Sequence, residues 1–358
     1  MKLWRLEIRN LRILRTLSIS PSPSLNLFVG PNGSGKTSVL EGIHLLGLGR
    51  SFRTRYIREA VARDGGELLA FGEVGLDDGR TVRIGVERQR TGRRIRIDGQ
   101  DVCAASELAR TMPLFMLTPH GQWLLAEGAE QRRRLMDWTL FHVEPSYLTV
   151  LQRYHHVLRQ RNAQLKQPKV AELTAWNQQL GQSGEVVHSF RQHYLSQLAP
   201  RLEAILGDLL ATPIELAYTP GWDARSTLHT ALTDATTEDR FRGYTTVGPH
   251  RADLQFRIGT SPAHRLLSRG ETKLLVLGFL LAQVDCVIDS VSKTPIVLID
   301  DLPSELDALS RHRFMRSLAQ RKAQTFFTAL PDSPIDTSCW PDARIFPIRH
   351  GQIEAAAA

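Results

Sequence analysis

The stretch "GPNGSGKT", from Gly30 to Thr37, decides the fold. It matches the phosphate-loop pattern G-x-x-x-x-G-K-[ST] and stands between a predicted strand, "LNLFVG", and a predicted helix that begins at Lys36. This strand–loop–helix arrangement turns successive backbone N–H groups toward one anion. We therefore predict an α/β fold with a nucleotide-binding loop made of Gly30, Pro31, Asn32, Gly33, Ser34, Gly35, Lys36 and Thr37.

A phosphate loop that works with Mg²⁺ also needs a carboxylate at the end of a neighbouring strand. In such loops the lysine, here Lys36, reaches the β- and γ-phosphates, and the hydroxyl of Thr37 ligates the metal. The apolar run "PIVLID" is typical of a strand buried in a parallel sheet, and Asp300 ends it. We predict Thr37 and Asp300 as the metal site, and Asp301 as the catalytic residue that orients or deprotonates water.

A second helix start presents backbone N–H groups to an anion. In "LLSRGETKLL", Ser268, Arg269 and Gly270 stand just ahead of an apolar helical run. The sequence alone does not say which phosphate this second helix start meets.

Composition is that of a globular protein. The 358 residues are 42% hydrophobic and 23% charged. By sequence, no apolar run reaches the length needed to span a bilayer, and the N-terminus has no signal-peptide core. We therefore expect a cytoplasmic protein. The three scattered cysteines, Cys103, Cys286 and Cys339, suggest neither a zinc site nor a disulfide framework.

The charge balance is basic, with a net charge of +8. Such an excess favours polyanionic partners, nucleic acid first, but on charge alone a merely basic soluble protein is an equal alternative.

The chain divides by pattern into three segments. Residues 67–98 alternate as antiparallel strands with an arginine-rich polar face, for which a solvated surface is favoured over a nucleic-acid stripe. Residues 130–210 have helical periodicity, and the break at "KQPKVA" predicts a short antiparallel, coiled-coil-like hairpin. "TPGWDARST" and "TDATTED" are predicted as loops. We predict an N-terminal ATPase lobe part (1–128), a helical arm (129–243) and a C-terminal lobe part (244–358).

The order of motifs resembles a known class. A phosphate loop, a long insertion, "LSRGE" and then "LIDDLPSELD" resemble the ABC-type ATPase heads of the chromosome-maintenance (SMC) class, and within it the RecF family of bacterial DNA-repair ATPases. The stretches that carry this resemblance lie between Gly30 and Asp307: "GPNGSGKTSVLEGIHLL", "GRSFRT", "EQRRRLMDW", "GPHRADL", "LLSRGETKLL" and "LIDDLPSELD".

The resemblance implies how the second helix start is used. In such heads the signature helix of one copy faces the γ-phosphate held by a second copy, so Ser268, Arg269 and Gly270 would act in trans. ATP and Mg²⁺ would be the cofactors, ATP would induce a homodimer, and hydrolysis would be weak, DNA-stimulated and slow, serving as a switch.

The chain departs from the family pattern at several positions. Glu271 replaces the usual Gln, so we expect its carboxylate to face away from the phosphate or the dimer to be weaker. "GPHRADL" has Ala252 in place of an Asp. Thr328 stands about where transporters have a histidine, and Gln122 is a candidate for the usual glutamine.

The resemblance also implies DNA as a partner. The family binds double-stranded DNA and junctions with single-stranded gaps, independently of sequence. It acts with RecR and RecO to promote RecA loading in recombinational repair, replication restart and the SOS response. The candidate phosphate contacts are Arg53, Arg55, Arg58, Arg132, Arg133, Arg134, Arg153, Arg159, Arg161, Lys166 and Lys169.

Two alternative functions were weighed. An ATP-binding subunit of a membrane transporter would carry its signature much nearer the phosphate loop and would lack a helical arm of this kind. A structural chromosome tether would need a far longer arm. Both rank below a DNA-binding repair ATPase.

Overall fold

A computed structural model describes residues 1–62, 66–89, 92–118, 128–167, 173–301, 306–333 and 335–354. The chain forms two compact units, one made of Met1–Gly121 with Leu277–Ala358 and the other of Gln122–Val276. The second unit thus includes 244–276, which the sequence analysis placed with the C-terminal lobe. The division into an ATPase lobe, 1–128 with 244–358, and a helical arm, 129–243, stays a prediction.

The described strands are β1 (Lys2–Leu11), β2 (Leu14–Ile19), β3 (Leu25–Val29), β4 (Leu68–Gly75), β5 (Thr81–Gln89), β6 (Gly92–Ile97), β7 (Gln100–Asp101), β8 (Leu114–Leu117), β9 (Glu215–Thr219), β10 (Asp253–Ile258), β11 (Ser261–Pro262), β12 (Ile296–Ile299), β13 (Thr325–Ala329), β14 (Arg344–Arg349) and β15 (Gln352–Ile353). The described α-helices are α1 (Lys36–Leu48), α2 (Ala105–Thr111), α3 (Ala129–Val143), α4 (Tyr147–Leu165), α5 (Thr174–Leu209), α6 (Leu228–Asp234), α7 (Thr236–Arg242), α8 (Arg269–Val291) and α9 (Ala308–Ala319).

The first unit contains an antiparallel sheet of order β2-β1-β4-β5-β6-β7. Buried residues alternate with more exposed ones along β4, so its buried apolar side chains lie on one face of the sheet. On the arginine-rich face, Arg94 and Arg96 both bond to Asp101, and Arg83 lies 3.6 Å from Glu73. The preference for a solvated surface over a nucleic-acid stripe stays a prediction.

The same unit holds a second sheet of order β15-β14-β3-β13-β12-β8. All its neighbours pair in parallel except β14 and β15. Strands β12 and β13 are buried along their whole length, as the continuous apolar run "PIVLID" predicted. Strand β13 lies between β3, which leads into the phosphate loop, and β12, which leads into Asp300.

The second unit is built around the predicted helical hairpin, in which α4 packs against α5. Each helix contributes an apolar stripe at helical spacing, with Tyr154, Leu158 and Leu165 on α4 facing the core. The loop prediction for "TDATTED" was wrong, since Thr233–Asp239 lies within α6 and α7. Thr227 caps α6 through its side chain, and burial of Leu228 and Leu232 anchors that helix.

The prediction that no segment is long enough to cross a membrane was also wrong. Among the described residues, α8 has the length and apolar composition to do so. However, 72% of its apolar window is buried inside the protein, as in the core helix of a soluble protein.

A buried ion pair joins α4 to α7 in the second unit. Arg161 donates to Asp239 at 2.7 Å, and both side chains are fully buried. Asp239 also accepts from the Thr246 amide, and Arg161 donates to Thr245 and Asn177. The expectation that Arg161 is an exposed DNA contact is therefore wrong.

Removing the carboxylate of this pair will destabilise the fold. Asp239→Ala leaves a buried guanidinium without its counter-charge, so we expect a loss of about 3–5 kcal/mol of unfolding free energy. Urea denaturation of the whole chain measures it. Glu238→Ala is the matched control, because its exposed pair with Arg242 contributes at most about 0.5 kcal/mol. Equal effects of the two substitutions would contradict the structural role of the buried pair.

Candidate functional site

The loop from Gly30 to Gly35 follows a path that its glycines make possible. A Cβ at Gly30 would lie 2.2 Å from the carbonyl oxygen of Ile348, and Gly35 has a φ of 112°, a value that favours glycine. Helix α1 begins at the next residue with no side-chain cap. Its first-turn N–H groups therefore lack a side-chain partner, which is the usual preparation of an anion site.

Ser34 tests whether the loop fits a phosphate. The residue is only 4% exposed, and its Oγ has no hydrogen-bond partner among the described residues. A buried hydroxyl without a hydrogen-bond partner costs free energy unless it bonds to a ligand oxygen or a water molecule. The residue also lines the pocket described below, so the loop fits a phosphate group.

Lys36 is held at the start of the helix by the loop itself. Its Nζ donates to the carbonyl oxygens of Gly30 and Pro31 at 2.6 and 2.8 Å. Partial burial lowers the pKa of Lys36, and the nearby carboxylates of Asp301 and Asp300 oppose that shift. An arriving anion would favour the charged form of this lysine.

The acidic pair lies at the carboxyl end of β12. Asp300 Oδ1 accepts a hydrogen bond from Thr37 Oγ1 at 3.0 Å and a second one from Thr328 Oγ1 at 2.6 Å. The amide of Asp301 donates to Thr328 Oγ1 at 2.8 Å, and Asp301 has a φ of 50°. The two predicted metal-site residues, Thr37 and Asp300, are therefore in direct contact.

These residues line one pocket of about 390 Å³. The predicted residues in its lining are Asn32, Gly33, Ser34, Gly35, Lys36, Thr37, Asp300 and Asp301. The lining also contains residues that the sequence analysis did not assign to it: Arg12, Ile13, Ser38, Arg53, Thr328 and Leu330. The predicted loop residues Gly30 and Pro31 are not in the lining, although their carbonyl groups hold Lys36.

Arg12 is the main pocket residue that sequence reasoning missed. Its guanidinium donates twice to the fully buried Glu41, at 3.0 and 3.1 Å, and Arg53 lies 3.6 Å from the same carboxylate. Two arginines thus share one carboxylate, so this group of three side chains carries a net positive charge beside the negative charges of Asp300 and Asp301. The turn that places Arg12 has positive φ at Asn10 and Arg12. Asn10 was the one residue in the local sequence that indicated such a turn, because asparagine tolerates the left-handed conformation.

The signature residues belong to the second unit. Ser268 immediately precedes α8, and the Glu271 carboxylate accepts from both the Ser268 amide and the Ser268 hydroxyl, at 2.9 and 2.7 Å. These bonds lower the pKa of Glu271. The carboxylate therefore turns back onto Ser268. The expectation that it faces away from the phosphate, or that the dimer is weaker, stays a prediction. Arg269 and Gly270 form the first turn of the helix.

The arginines predicted to contact DNA differ in their surroundings. Arg132 bonds to Asp253 through two nitrogens, Arg133 donates to the Ala252 carbonyl, and Arg134 pairs with Glu130. The exposed members are Arg53, Arg55, Arg58, Arg134, Arg153, Arg159 and Lys166. Two of them, Arg55 and Arg58, lie over the Tyr56 ring. These contacts give Arg132 and Arg133 a role in packing, and DNA binding by the whole set stays a prediction.

The "GPHRADL" loop is tied into the second unit. His250 lies 2.6 Å from the Tyr154 hydroxyl and 3.0 Å from the Thr245 carbonyl oxygen. Burial lowers the pKa of His250 to about 4, so the ring is neutral near pH 7. Ala252, which replaces the family's Asp, is fully buried.

Within the described ranges, no group of three or more His, Cys, Asp or Glu side chains converges on a metal position. Mg²⁺ typically needs only one or two protein ligands beside substrate phosphates, as Thr37 and Asp300 would provide. The predicted candidates Gln122 and Lys169 lie outside the described residues.

Comparisons with known proteins agree on one family. The model of the RecF/RecN/SMC N terminal domain matches residues 2–339. The chain is 37% identical over 357 residues to the DNA replication and repair protein RecF of Shewanella baltica, covering 99% of each chain. It is 39% identical over 360 residues to the RecF protein of Stutzerimonas stutzeri, covering 99% of this chain and 97% of the relative.

The fold agrees as well. A solved structure of the recombination mediator protein RecF with ATP has a TM-score of 0.87 and 24% identity, covering 99% of this chain and 97% of that one. An Smc head bound to the C-winged helix domain of ScpA has a TM-score of 0.59 and 13% identity, covering 99% of this chain and 97% of that one. The predicted ABC/SMC-type head fold is thereby confirmed. The chain belongs to the RecF/RecN/SMC family and, within it, to the RecF proteins of DNA replication and repair.

Proposed function

We propose that this protein is an ATP-dependent DNA-binding factor of recombinational repair and replication restart. The observation that carries the proposal is that the phosphate loop, Lys36 and the acidic pair meet in one pocket. The role of the RecF relatives in DNA replication and repair, and the ATP complex of the solved RecF, support the same conclusion.

The residues of the pocket have separate roles in this proposal. The loop from Gly30 to Gly35 binds phosphate through backbone N–H groups, and Lys36 supplies the charge for the terminal phosphates. Thr37 and Asp300 hold Mg²⁺, and Asp301 orients the attacking water and accepts its proton. Bound ATP supplies the bond that is cleaved: water oxygen bonds to the γ-phosphorus while the bridging bond breaks, giving ADP and phosphate.

A second copy of the chain completes the site. Ser268, Arg269 and Gly270 contact the γ-phosphate held by the partner copy, and two such sites form at once in a symmetric pair. The start of α8, with a hydroxyl and a glycine, suits a phosphate oxygen once that oxygen takes the place of the Glu271 carboxylate on Ser268. Loss of the γ-phosphate removes the shared ligand, so slow hydrolysis acts as a release switch.

DNA is the partner that this switch controls. The chain's net charge of +8 and the exposed arginines near Tyr56 and along α4 suit a phosphate backbone. We propose contact with duplex DNA and with junctions beside single-stranded gaps, without base recognition. Action in the cytoplasm with RecR and RecO to load RecA, and a link to the SOS response, complete the proposal.

Lys36→Met tests the nucleotide site. Loss of the ammonium group should weaken ATP binding by at least about 100-fold, because Lys36 is the cation of the loop. Titration of a fluorescent ATP analogue measures the affinity. Lys166→Met, on an exposed lysine at the end of α4, is the matched control and should bind as the wild type does. Unchanged affinity in Lys36→Met would refute the site.

Glu271 and Ser268 test the pairing in trans. Glu271→Gln removes a negative charge beside the phosphate contact, so the ATP-induced dimer should tighten about tenfold, or about 1.4 kcal/mol. Ser268→Arg should block the dimer yet leave ATP binding by the monomer intact, whereas Ser196→Arg on exposed α5 surface should change neither. Light scattering over a concentration series measures the dimer. A normal dimer of Ser268→Arg would overturn the model.

Salt dependence tests the mode of DNA binding. With about 6 phosphate contacts, affinity should fall about 10³-fold between 50 and 200 mM salt and depend little on sequence. Arg159→Ala should reduce the log–log slope by about 1, because it removes one contact. Arg225→Ala, on a 90% exposed arginine paired with Asp223, is the control and should leave the slope unchanged. A strong preference for one short sequence would contradict a backbone-only interface.

A further inference from the structure

A buried hydroxyl stands in the middle of the parallel sheet, at Thr328. The residue is 1% exposed and lies near the end of β13, beside the apolar residues Phe327 and Ala329. A valine has nearly the same shape and would avoid the cost of burying a polar group. The hydroxyl is therefore explained by what it bonds to.

Thr328 bonds to both members of the acidic pair. Its Oγ1 lies 2.6 Å from Asp300 Oδ1 and 2.8 Å from the amide nitrogen of Asp301. A hydroxyl has one proton, and an ionised carboxylate can only accept, so the proton goes to Asp300. The oxygen lone pair then accepts the Asp301 N–H. One atom thus fixes the side chain of the first aspartate and the backbone of the second.

The backbone at Asp301 needs such a restraint. Its φ of 50° is in the left-handed region, which costs free energy for a residue with a Cβ. This backbone conformation sets the direction of the Cα–Cβ bond of Asp301, and so the orientation of its side chain. Loss of the Thr328 bond would let the turn relax and move the carboxylate.

Asp300 is restrained from two sides. The same Oδ1 accepts from Thr37 at 3.0 Å and from Thr328 at 2.6 Å. Thr37 belongs to helix α1, which follows the phosphate loop, while Thr328 belongs to the strand between β3 and β12. Thr328 is thus the contact that orients Asp300 independently of the loop threonine.

We propose that Thr328 is a positioning residue for ATP hydrolysis, whose hydroxyl sets the Mg²⁺ ligand Asp300 and the water-orienting Asp301 in one geometry. This inference rests on the hydrolytic role given to the pocket under the proposed function. Thr328 contacts neither the bond that forms to the γ-phosphorus nor the bridging bond that breaks. It affects hydrolysis only through the two carboxylates, Asp300 and Asp301. Groups that orient metal ligands in this way commonly change metal affinity about 10- to 100-fold when they are removed.

Thr328→Val removes the hydroxyl and keeps the shape of the side chain. We expect ATP affinity in EDTA to stay within about threefold of wild type, since the phosphate contacts are intact. The Mg²⁺ concentration for half-maximal tightening of ATP binding should rise about tenfold. At saturating Mg²⁺, kcat should fall up to about 100-fold, because Asp301 is displaced.

Two further variants separate positioning from packing. Thr328→Ser keeps the hydroxyl and should restore Mg²⁺ dependence and kcat to within about threefold of wild type. Thr325→Val is the matched control on the same strand, because Thr325 is also fully buried and its hydroxyl donates to the Ala323 carbonyl, away from the acidic pair. It should leave both quantities unchanged, even if it lowers the melting temperature.

The outcomes distinguish this inference from the proposed function. If Thr328→Val matches Thr325→Val in Mg²⁺ dependence and kcat, or if Thr328→Ser fails to rescue, the positioning role is overturned while the ATP site stands. Loss of ATP affinity in EDTA by Thr328→Val would also overturn it, since that result indicates a role in packing the loop. If Lys36→Met leaves ATP binding and hydrolysis at wild-type levels, the proposed function itself fails.

Discussion

The parallel pairing of β13 with β3 on one side and β12 on the other is the constraint on which the site depends. The contact between Thr37 and Asp300 joins residues 263 positions apart in the sequence. Carboxyl ends of adjacent parallel strands meet at the same sheet edge, so the register alone brings the phosphate loop to the acidic pair. The amide of Gly30 donates to the Ala329 carbonyl, and Asp300 accepts from Thr328, so β13 holds both ends.

In the dimer that we propose, a second copy of the chain completes this site. The pocket residues belong to the first compact unit, whereas Ser268 and Glu271 begin a helix in the second. In the unpaired chain, the Glu271 carboxylate occupies the amide and hydroxyl of Ser268 that we assign to the partner's phosphate. To pair in the proposed way, the partner's phosphate has to displace the Glu271 carboxylate from Ser268. This displacement costs free energy, so we expect a dimer that forms only when ATP is bound and that separates easily.

The sequence was sufficient for the parts of the site whose chemistry is local. The phosphate loop, the strand that ends at Asp300 and the helical hairpin each have a period or motif of their own, and all were predicted. Arg12 was not, because its place in the pocket depends on a left-handed turn and on a buried partner, Glu41, in another element. Arg161 and Arg132 looked like surface charges because only the tertiary structure shows the carboxylates that pair with them.

Mixing two defective variants tests most directly whether each nucleotide is held by two copies. The Lys36→Met chain has an intact signature and the Ser268→Arg chain an intact phosphate loop, so their mixed dimer contains one complete site. We expect each variant alone to hydrolyse ATP at background level and an equal mixture to regain activity, up to about half of the wild-type value, because the mixed dimer has one complete site of two. A mixture no more active than the two variants measured separately would contradict the account.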